Sequence, residues 1–416
     1  MKKTTSYIIM AIVLFLTNVD VSAVGSRTDK GQGEMYKVTL DAADHGSYSV
    51  SPKIPEDGKV EAGTEITITA TPASGYSMDC IFKTVAGGMW GTTSYEYFVT
   101  EKKITVDKDM TVGATFFKSE LVDNIEVTRD IVYAQPGVKK LKYDVYSPKG
   151  AKNLPIIVII HGGGWSSNNE DIMRGLAFEL LKGGQYVICS IDYRWNKNLD
   201  GDAVPNKVNN LIEDVYGAIA HIQEHASKYG GDATRIAVTG DSAGGHLSAS
   251  AANMVEMIGD GGFGEKEGVF EYKPTYLPKG KSTEQVRNEI ATAIKAAAPS
   301  YGVFRGSSMA SFVDNLTAEQ VKAIAPINSI PNVSDRNVPQ FLVRGTSDPL
   351  ISNEENQVYV DALKDAGQKV EYLQVEGASH AFFDWKPDAR TRATFEKIGV
   401  PYAAKMKAFF DSVFFK

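Results

Sequence analysis

The sequence predicts an α/β protein, with a mostly parallel sheet flanked by helices and a small antiparallel β-domain in front of it. Continuous apolar runs at 155–160 and 187–191 have the composition of strands that are covered on both faces. They alternate with helical patterns at 172–181 and 208–229, as in a parallel sheet whose strands are joined by crossover helices. Between 35 and 118, apolar and polar residues alternate with the two-residue period of strands, which predicts the β-domain.

The length and net charge of the chain exclude some classes of function. The 416 residues are 43% hydrophobic, which is enough for a large core and for two domains. The formal net charge of −7 implies no basic face and argues against a nucleic-acid partner. The two cysteines, Cys80 and Cys189, are far apart, and Cys189 falls in an apolar run, which favours a buried free thiol over a disulfide.

The start of the chain has the pattern of an export signal. Lys2 and Lys3 precede an apolar run at 7–16 that is too short to span a bilayer, and small residues follow at 21–23. We therefore expect a signal peptide at 1–23, a polar linker at 24–34, and an exported protein with no stable membrane span after signal removal. An uncleaved membrane anchor is the alternative.

The β-domain is expected to span 35–118 and the α/β domain 121–416. Strands of the β-domain are expected at 36–40, 47–50, 65–70, 103–106 and 111–116. Further strands of the α/β domain are expected at 125–128, 141–146, 236–239, 294–298, 340–343 and 370–375, and its last helix at 402–415.

Three stretches of the β-domain carry a family resemblance. They are His45-Gly-Ser-Tyr-Ser-Val-Ser-Pro52, residues 63–76 and Met110-Thr-Val-Gly-Ala-Thr-Phe116. In these stretches the segment resembles the divergent internalin-type B-repeat modules of secreted bacterial proteins. The resemblance implies architecture more than chemistry, namely a spacer or a weak binding module. Trp90, Tyr95 and Tyr97 are candidate carbohydrate contacts, with local packing as the alternative.

One turn between a predicted strand and a predicted helix carries a candidate nucleophile. The sequence Gly240-Asp-Ser242-Ala-Gly244 follows the apolar strand and precedes a small-residue helix that runs to Met257. A Gly-x-Ser-x-Gly turn in this position holds its serine in a strained conformation with the hydroxyl clear of the sheet, and its glycines remove side chains that would collide. Ser242 is therefore the predicted nucleophile. The alternative is a tight turn whose serine only caps the helix.

A second loop offers donors for a negative oxygen. His161-Gly-Gly-Gly-Trp165 comes directly after a buried strand. Consecutive glycines let backbone N–H groups approach a ligand, and an acyl-transfer enzyme needs such donors where a carbonyl oxygen becomes negative. We assign the N–H groups of Gly163, Gly164 and Ala243 to this oxyanion hole. His161 is interpreted as a residue that organises the loop, and a flexible loop without this role is the alternative.

A serine nucleophile needs a histidine base and an acid that orients it, and in this arrangement they follow the serine in the order acid, then histidine. Asp348 lies in the polar turn directly after an apolar strand, and His380 lies on a loop after the last strand. We therefore predict a catalytic triad of Ser242, Asp348 and His380. Three competing acids do not follow a strand in this way, namely Asp335, Glu354 and Glu355.

Other residues are of types that can act in catalysis or metal binding, but we interpret them as structural. Residues 192–194 are assigned to the scaffold beside the oxyanion loop, His246 to packing, and Asp241 to shaping the turn. His221 and His225 have the spacing of a metal pair, but the glutamate of the zinc-protease signature is missing. No metal and no cofactor is expected.

The motifs taken together carry a second resemblance. His161-Gly-Gly-Gly-Trp165, Gly240-Asp-Ser-Ala-Gly-Gly245, Asp348 and His380 resemble the hormone-sensitive-lipase-like branch of the α/β-hydrolase superfamily, over roughly 125–416. That branch includes bacterial carboxylesterases and secreted feruloyl and acetyl-xylan esterases. The resemblance implies an α/β-hydrolase fold and ester hydrolysis through an acyl-enzyme. Trp195-Asn196 stands where lipase-like members often have Leu-Ala-Pro, which argues against a simple lipase.

The substrate is less well defined than the chemistry. Trp165, Tyr301 and Phe304 are predicted to bind substrate, because aromatic side chains suit a phenolic acid or a sugar, with core packing as the alternative for each. The insertion at 259–289 would form a cap in this fold, and it is too polar for the lid of an interfacial lipase. We expect an exported serine carboxylesterase that removes feruloyl or acetyl groups from plant cell-wall polysaccharide such as xylan, so its partner is a feruloylated or acetylated oligosaccharide.

Other functions stay open at this point. A general short-chain carboxylesterase or lipase-like enzyme would use the same residues. A serine exopeptidase of the same fold is a second alternative, although the small β-domain does not look like a peptide-binding domain. A non-catalytic binding protein is a third, and the intact Ser242, Asp348 and His380 argue against it.

Overall fold

The structure is a computed structural model that describes residues 33–86, 93–98, 103–309 and 316–415. The predicted signal peptide at 1–23 and all but the end of the predicted linker lie outside the described residues. Trp90 and the side chains of Tyr95 and Tyr97 also lie outside them. Export and carbohydrate binding by these aromatics therefore stay predictions.

The β-domain contains two sheets. Its strands in the described residues are β1 Met35–Leu40, β2 Gly46–Ser51, β3 Lys59–Glu61, β4 Glu65–Pro72, β5 Tyr76–Ala86, β6 Thr93–Phe98, β7 Lys103–Thr105 and β8 Met110–Lys118. One sheet has the order β3-β1-β8-β5-β6 and the other has the order β2-β4-β7. Strands β1 and β8 run parallel, and the other paired strands of this domain are antiparallel.

Strand β5 is the long strand that the alternation pattern did not predict. Its consecutive residues 79–82 are all buried, so the two-residue period is lost. Ile81 packs in the core of the β-domain, whereas Asp79 and Cys80 contact Arg174 of the α/β domain. Cys80 and Cys189 are both buried and free. The strand was missed because two domains bury it.

The α/β domain alternates strands and helices along the chain. Its strands are β9 Ile125–Ala134, β10 Leu141–Pro148, β11 Leu154–Ile160, β12 Val187–Ile191, β13 Gly231–Asp241, β14 Ile294–Ser300, β15 Gln340–Gly345 and β16 Val370–Val375. Its α-helices within the described residues are α1 Arg174–Leu181, α2 Val208–His225, α3 Ala243–Asn253, α4 Thr283–Ala293, α5 Gly306–Met309, α6 Ala318–Ala323, α7 Asn353–Asp365, α8 Ala389–Thr394 and α9 Val400–Phe414.

The large sheet has the order β16-β15-β14-β13-β11-β12-β10-β9. Strands β11 to β16 pair in parallel, and β9 and β10 form an antiparallel edge. Ile160 at the end of β11 pairs with Gly240 near the end of β13. The predicted oxyanion loop and the predicted nucleophile therefore begin side by side, at the carboxyl ends of neighbouring strands.

Hydrophobic side chains cover both faces of this sheet, which confirms the predicted fold class. Helices α2, α3 and α4 pack on one face, and α1 and α9 pack on the other. Phe117 of β8 belongs to the second of these clusters, so the β-domain shares a core with the α/β domain. Among the described residues, no helix has both the length and the apolar composition needed to cross a membrane.

Candidate active site

Ser242 lies in the turn between β13 and α3. Its φ of 52° and ψ of −116° form a conformation that L-residues rarely adopt. Its N–H donates to the carbonyl of Ser300 at 3.0 Å, which ties the turn to the end of β14. A Cβ at Gly240 would collide with the carbonyls of Gly244 and Ile160, and a Cβ at Gly244 would collide with the carbonyl of Ile160. These glycines are therefore required by the close approach of β11.

His380 bridges Ser242 and Asp348. Its Nε2 lies 2.9 Å from Ser242 Oγ, and its Nδ1 lies 2.7 Å from Asp348 Oδ2. Because a carboxylate can only accept, Nδ1 carries a hydrogen, and in the neutral ring Nε2 can accept the serine proton. Ser242 and His380 are 138 positions apart, and the fold brings all three predicted residues together.

Two backbone N–H groups hold Asp348 in place. Its Oδ1 accepts from Leu350 at 2.8 Å and from Ile351 at 2.9 Å. Burial alone would raise the pKa of Asp348, but the hydrogen bond and charge of His380, together with these N–H groups, outweigh it and place the pKa below its ordinary value. Asp348 is therefore ionised and can stabilise a protonated imidazole.

The competing acids lie elsewhere. Glu355 is buried and its carboxylate lies 2.6 Å from Arg305 Nε, while Glu354 is exposed and lies 3.4 Å from the same guanidinium group. Asp335 is exposed. In the described part of the chain, Asp348 supplies the carboxylate that bonds to His380.

The predicted oxyanion donors come from the residue after Ser242 and from the loop that begins beside Gly240, where Ile160 pairs with it. Gly163 and Gly164 have φ values of 117° and 59°, which favour glycine, and a Cβ at Gly163 would collide with the carbonyl of Ser167. Among the described residues, no acceptor is bonded to the N–H groups of Gly163, Gly164 and Ala243. Ala243 also opens α3, and a helix N-terminus favours negative charge. The assignment of these donors to an oxyanion hole stays a prediction.

The side chains of Asp241 and Ser167 hold the oxyanion loop, residues 161–165, in place. Asp241 Oδ1 accepts the N–H of Gly162 at 2.7 Å, and Ser167 Oγ donates to the carbonyl of Gly163 at 3.0 Å. Burial, and then the charge of Asp384, raises the pKa of Asp241 to about 7. Asp241 was interpreted as shaping its own turn, and its bond to the oxyanion loop was not predicted.

His161 and residues 192–194 form a scaffold behind this loop. The imidazole of His161 is buried and stacks on Tyr193, with ring centroids 4.2 Å apart, and its Nε2 lies 3.3 Å from Asp192 Oδ1. The Tyr193 hydroxyl donates to the carbonyl of His161 at 2.8 Å. Arg194 binds Asp214 through Nε and Nη2, each at 2.8 Å. These contacts agree with a structural role for His161.

Trp165 and Phe304 were predicted to bind substrate but are packing residues, which is a correction. Trp165 is 2% exposed, and its Nε1 donates to His246 Nδ1 at 3.2 Å. Phe304 is fully buried and stacks on Tyr359, with ring centroids 4.1 Å apart. Neither presents a surface to a substrate. An aromatic residue near a catalytic motif has the same sequence signature whether it faces the cleft or the core.

Tyr301 is also fully buried, so it too is corrected as a substrate-lining residue. Its ring packs against His380, with centroids 4.9 Å apart, and its hydroxyl accepts the N–H of Phe383 at 3.2 Å. Tyr301 therefore connects the end of β14 to the loop that carries His380. Tyr301 comes directly after β14, which pairs with the strand that ends at the nucleophile. This position in the sequence could have indicated its supporting role.

One acidic cluster has the spacing of a metal site. Among the described residues, Asp130, Asp144 and Glu170 lie close enough together to share a cation. The ammonium group of Lys142 bonds to Asp130 and lies 3.1 Å from Glu170, and Arg129 Nη1 lies 2.8 Å from Asp144. Lys142 and Arg129 already occupy oxygens of these carboxylates, and burial raises the pKa of Glu170, so the cluster is an ion-pair network and not a good fit for a metal.

Comparison with solved structures agrees with this fold. The structure aligns with Thermogutta terrifontis esterase 2 phosphorylated by paraoxon, with a TM-score of 0.51, 24% identity, and coverage of 70% of this chain and 95% of that one. It also aligns with a truncated carbohydrate esterase from gut microbiota, with a TM-score of 0.51, 23% identity, and coverage of 70% and 97%. These similarities show the fold.

Two of the relatives are named as esterases. Esterase LipQ of Mycobacterium tuberculosis is 27% identical over 307 residues, which is 68% of this chain and 64% of LipQ. Carboxylesterase NlhH of the same species is 36% identical over 124 residues, which is 30% of this chain and 37% of NlhH. The chain thus spans less than two thirds of the length of these relatives.

The turn between β13 and α3 that carries Ser242 is called here the serine elbow. The fold, with this elbow and a histidine at the carboxyl ends of its strands, defines an α/β-hydrolase. Residues 143–363, more than half of the chain, match the model of the BD-FAE family, and residues 36–120 match the divergent InlB B-repeat domain. The chain belongs to the BD-FAE family of hormone-sensitive-lipase-like esterases. Both resemblances predicted from the sequence are confirmed.

Proposed function

We propose that the protein is a serine carboxylesterase. The observation that carries this proposal is the chain of hydrogen bonds through His380, which lies 2.7 Å from Asp348 and 2.9 Å from Ser242. A serine hydroxyl is a weak nucleophile until a base within hydrogen-bond reach takes its proton. The esterase names of the relatives agree with this chemistry.

The reaction has two halves. Ser242 Oγ attacks the ester carbonyl while its proton passes to His380 Nε2, and the resulting oxyanion accepts hydrogen bonds from the N–H groups of Gly163, Gly164 and Ala243. His380 then gives the proton to the departing alcohol, which leaves an acyl-enzyme. In the second half His380 takes a proton from water as the water oxygen attacks the acyl carbonyl; the bond from the acyl carbon to Ser242 Oγ then breaks, His380 returns the proton to Oγ, and the acid departs.

For the substrate, we propose feruloyl or acetyl esters on plant cell-wall polysaccharide, hydrolysed by an exported enzyme. The signal-like start of the chain supports export. The B-repeat domain, which resembles modules of secreted proteins, supports an extracellular or periplasmic site of action. The resemblance to a branch that includes feruloyl and acetyl-xylan esterases supports the acyl groups.

The test compares the protein with Ser242→Ala on four substrates, namely a nitrophenyl acetate, methyl ferulate, acetylated xylan and a peptide anilide. We expect the wild type to cleave the esters, and Ser242→Ala to lose at least about 10⁴-fold in kcat. Retained ester turnover by the variant would contradict the mechanism. Cleavage of the nitrophenyl ester alone would leave a general short-chain carboxylesterase, and preference for the peptide would favour an exopeptidase.

Labelling separates an enzyme from a non-catalytic scaffold without any assumption about substrate. A fluorophosphonate probe reacts with an activated serine. We expect it to modify the wild type and not Ser242→Ala. A wild type that resists the probe would contradict the proposal.

A further inference from the structure

A buried ion pair joins the β-domain to the α/β domain. Asp79 of β5 accepts from Arg174 Nε, at the start of α1, with 2.8 Å between Asp79 Oδ1 and this nitrogen. Arg174 is fully buried and Asp79 is 3% exposed. Arg174 also donates to the carbonyl of Asp171 and to Cys80 Sγ. Two charges removed from water need such complete bonding, because each carries a large desolvation cost.

The other oxygen of Asp79 bonds to the indole of Trp385. Trp385 Nε1 donates to Asp79 Oδ2 at 2.9 Å, and Thr115 Oγ1 donates to the same oxygen at 2.7 Å. The indole also stacks on Phe117 of the β-domain, with centroids 5.0 Å apart and ring planes 13° apart. The β-domain therefore holds Trp385 by both a charge-assisted hydrogen bond and a ring contact.

Trp385 stands five residues after His380 on the segment that follows β16. Between them, Phe383 donates its N–H to the Tyr301 hydroxyl, and the N–H of Asp384 donates to the carbonyl of Ala381. Trp385 itself donates its N–H to the carbonyl of Ile172 at 3.0 Å. We call residues 376–388 the histidine loop. Its far end is fixed jointly by the α/β domain and by Asp79.

We propose that Asp79 and Trp385 are positioning residues for His380, and that the β-domain is a working part of the active site and not a spacer. A domain that only separates two parts of a protein would not place a buried carboxylate in a hydrogen bond with the loop that carries the catalytic base, as Asp79 does with Trp385. Release of Trp385 would let the histidine loop move, and small displacements of a catalytic group cost large factors in rate. This inference rests on the proposed esterase function.

The main test uses Trp385→Phe, which keeps a ring beside Phe117 and leaves the Asp79–Arg174 pair intact but removes the indole donor. We expect kcat on a nitrophenyl ester to fall about tenfold with KM within about twofold of the wild type. Asp79→Asn is a second variant, which we expect to show the same split between kcat and KM. Its amide cannot accept from all three donors.

The matched control is Phe178→Leu, on α1. Phe178 packs edge-on against Phe117 in the same interface, and its ring contacts within the described residues are with Phe117 and Tyr146, not with the histidine loop. We expect it to lower the melting temperature and leave kcat unchanged. The inference is overturned if Trp385→Phe keeps the wild-type kcat, or if Phe178→Leu loses as much kcat at an equal loss of melting temperature.

Hydrogen exchange gives a readout that needs no substrate. We expect amides of 376–388 to exchange at least about tenfold faster in Trp385→Phe than in the wild type, and at the wild-type rate in Phe178→Leu. Unchanged exchange in Trp385→Phe would overturn the inference even if the enzyme is active. A wild type that neither hydrolyses esters nor reacts with fluorophosphonate would overturn the proposed function instead. Faster exchange in Trp385→Phe would still show that Trp385 holds the histidine loop.

Discussion

The carboxyl group of Asp241 accepts the backbone N–H of Gly162 at 2.7 Å, and this bond ties the serine elbow to the oxyanion loop. The carboxyl group is 1% exposed. Burial and the charge of Asp384 raise its pKa to about 7. A titratable group thus lies between two parts of the site, and it is close to half-protonated at neutral pH.

This raised pKa predicts a pH dependence of stability. The unfolded chain loses the Asp241 proton near pH 4, whereas the folded chain keeps it until about pH 7. The stabilisation from this proton is therefore complete below pH 4 and lost as the pH rises to 7. In Asp241→Asn the amide oxygen can still accept from Gly162 and nothing titrates. We expect the free energy of unfolding of the variant, relative to the wild type, to increase by about 3 kcal/mol from pH 5 to pH 8.

Urea denaturation at several pH values between 5 and 8 measures this difference. Glu354→Gln is the control, because it replaces an exposed carboxylate on α7 that lies beside Arg305 and not beside the oxyanion loop. A difference between Asp241→Asn and the wild type that does not change with pH would show that the pKa of Asp241 is not raised in the folded protein.

Asp348→Asn tests the orienting acid. The amide oxygen can replace Oδ1 as the acceptor for Leu350 and Ile351, which turns the amide N–H₂ toward His380 Nδ1. The imidazole must then carry its hydrogen on Nε2 and cannot accept the Ser242 proton. We expect kcat to fall about 10⁴-fold, the size of loss seen when a triad acid is replaced by its amide.

Steady-state kinetics on a nitrophenyl ester measures this loss, and the melting temperature should stay near that of the wild type. Glu354→Gln serves again as the control, with unchanged kcat. An Asp348→Asn enzyme that keeps a tenth or more of the wild-type kcat would mean that another acid orients His380.

The triad could be predicted from sequence because each member follows a strand. In a parallel sheet the carboxyl ends of neighbouring strands meet at one edge, so Ser242 after β13, Asp348 after β15 and His380 after β16 are brought to the same edge of the sheet. The oxyanion glycines follow the same logic after β11. Local pattern and topology agree at these positions, and for that reason the geometry is as expected.

Contacts between the two domains could not be predicted in this way. Asp79 and Arg174 are 95 positions apart, and no local pattern marks a charged pair that is satisfied only after the domains pack. The same pair hides β5, because the charged Asp79 falls within 78–82, a stretch that is otherwise apolar. The prediction that Trp165 and Phe304 bind substrate was wrong for a related reason. Their burial depends on partners from distant elements, namely His246 and Tyr359.

The oxyanion donors make a separate prediction through Gly163→Ala. A methyl group at Gly163 would collide with the carbonyl of Ser167, and the φ of 117° is strained for alanine, so the loop must move. We expect kcat to fall about 10²–10³-fold, as for loss of one oxyanion donor, with a stability loss of about 1–3 kcal/mol.

Gly183→Ala is the control for strain alone. Gly183 has a φ of 88° but open space at its Cβ, with the nearest atom, Gln185 Oε1, at 3.9 Å. It should lose stability by a similar mechanism and keep the wild-type kcat. If both variants lose kcat equally, the effect of Gly163→Ala comes from folding and not from the oxyanion hole.

Phe304→Leu distinguishes a packing residue from a substrate contact. Phe304 stacks on Tyr359 in a cluster with Leu342 and Ala249 and has no exposed surface. Losing the ring contact should lower the free energy of unfolding by about 1–3 kcal/mol, measured in urea. The KM for methyl ferulate should stay within about twofold of the wild type, because the ring does not reach the cleft. A tenfold rise in KM without loss of stability would mean that Phe304 turns outward when substrate binds, and would restore it as a binding residue.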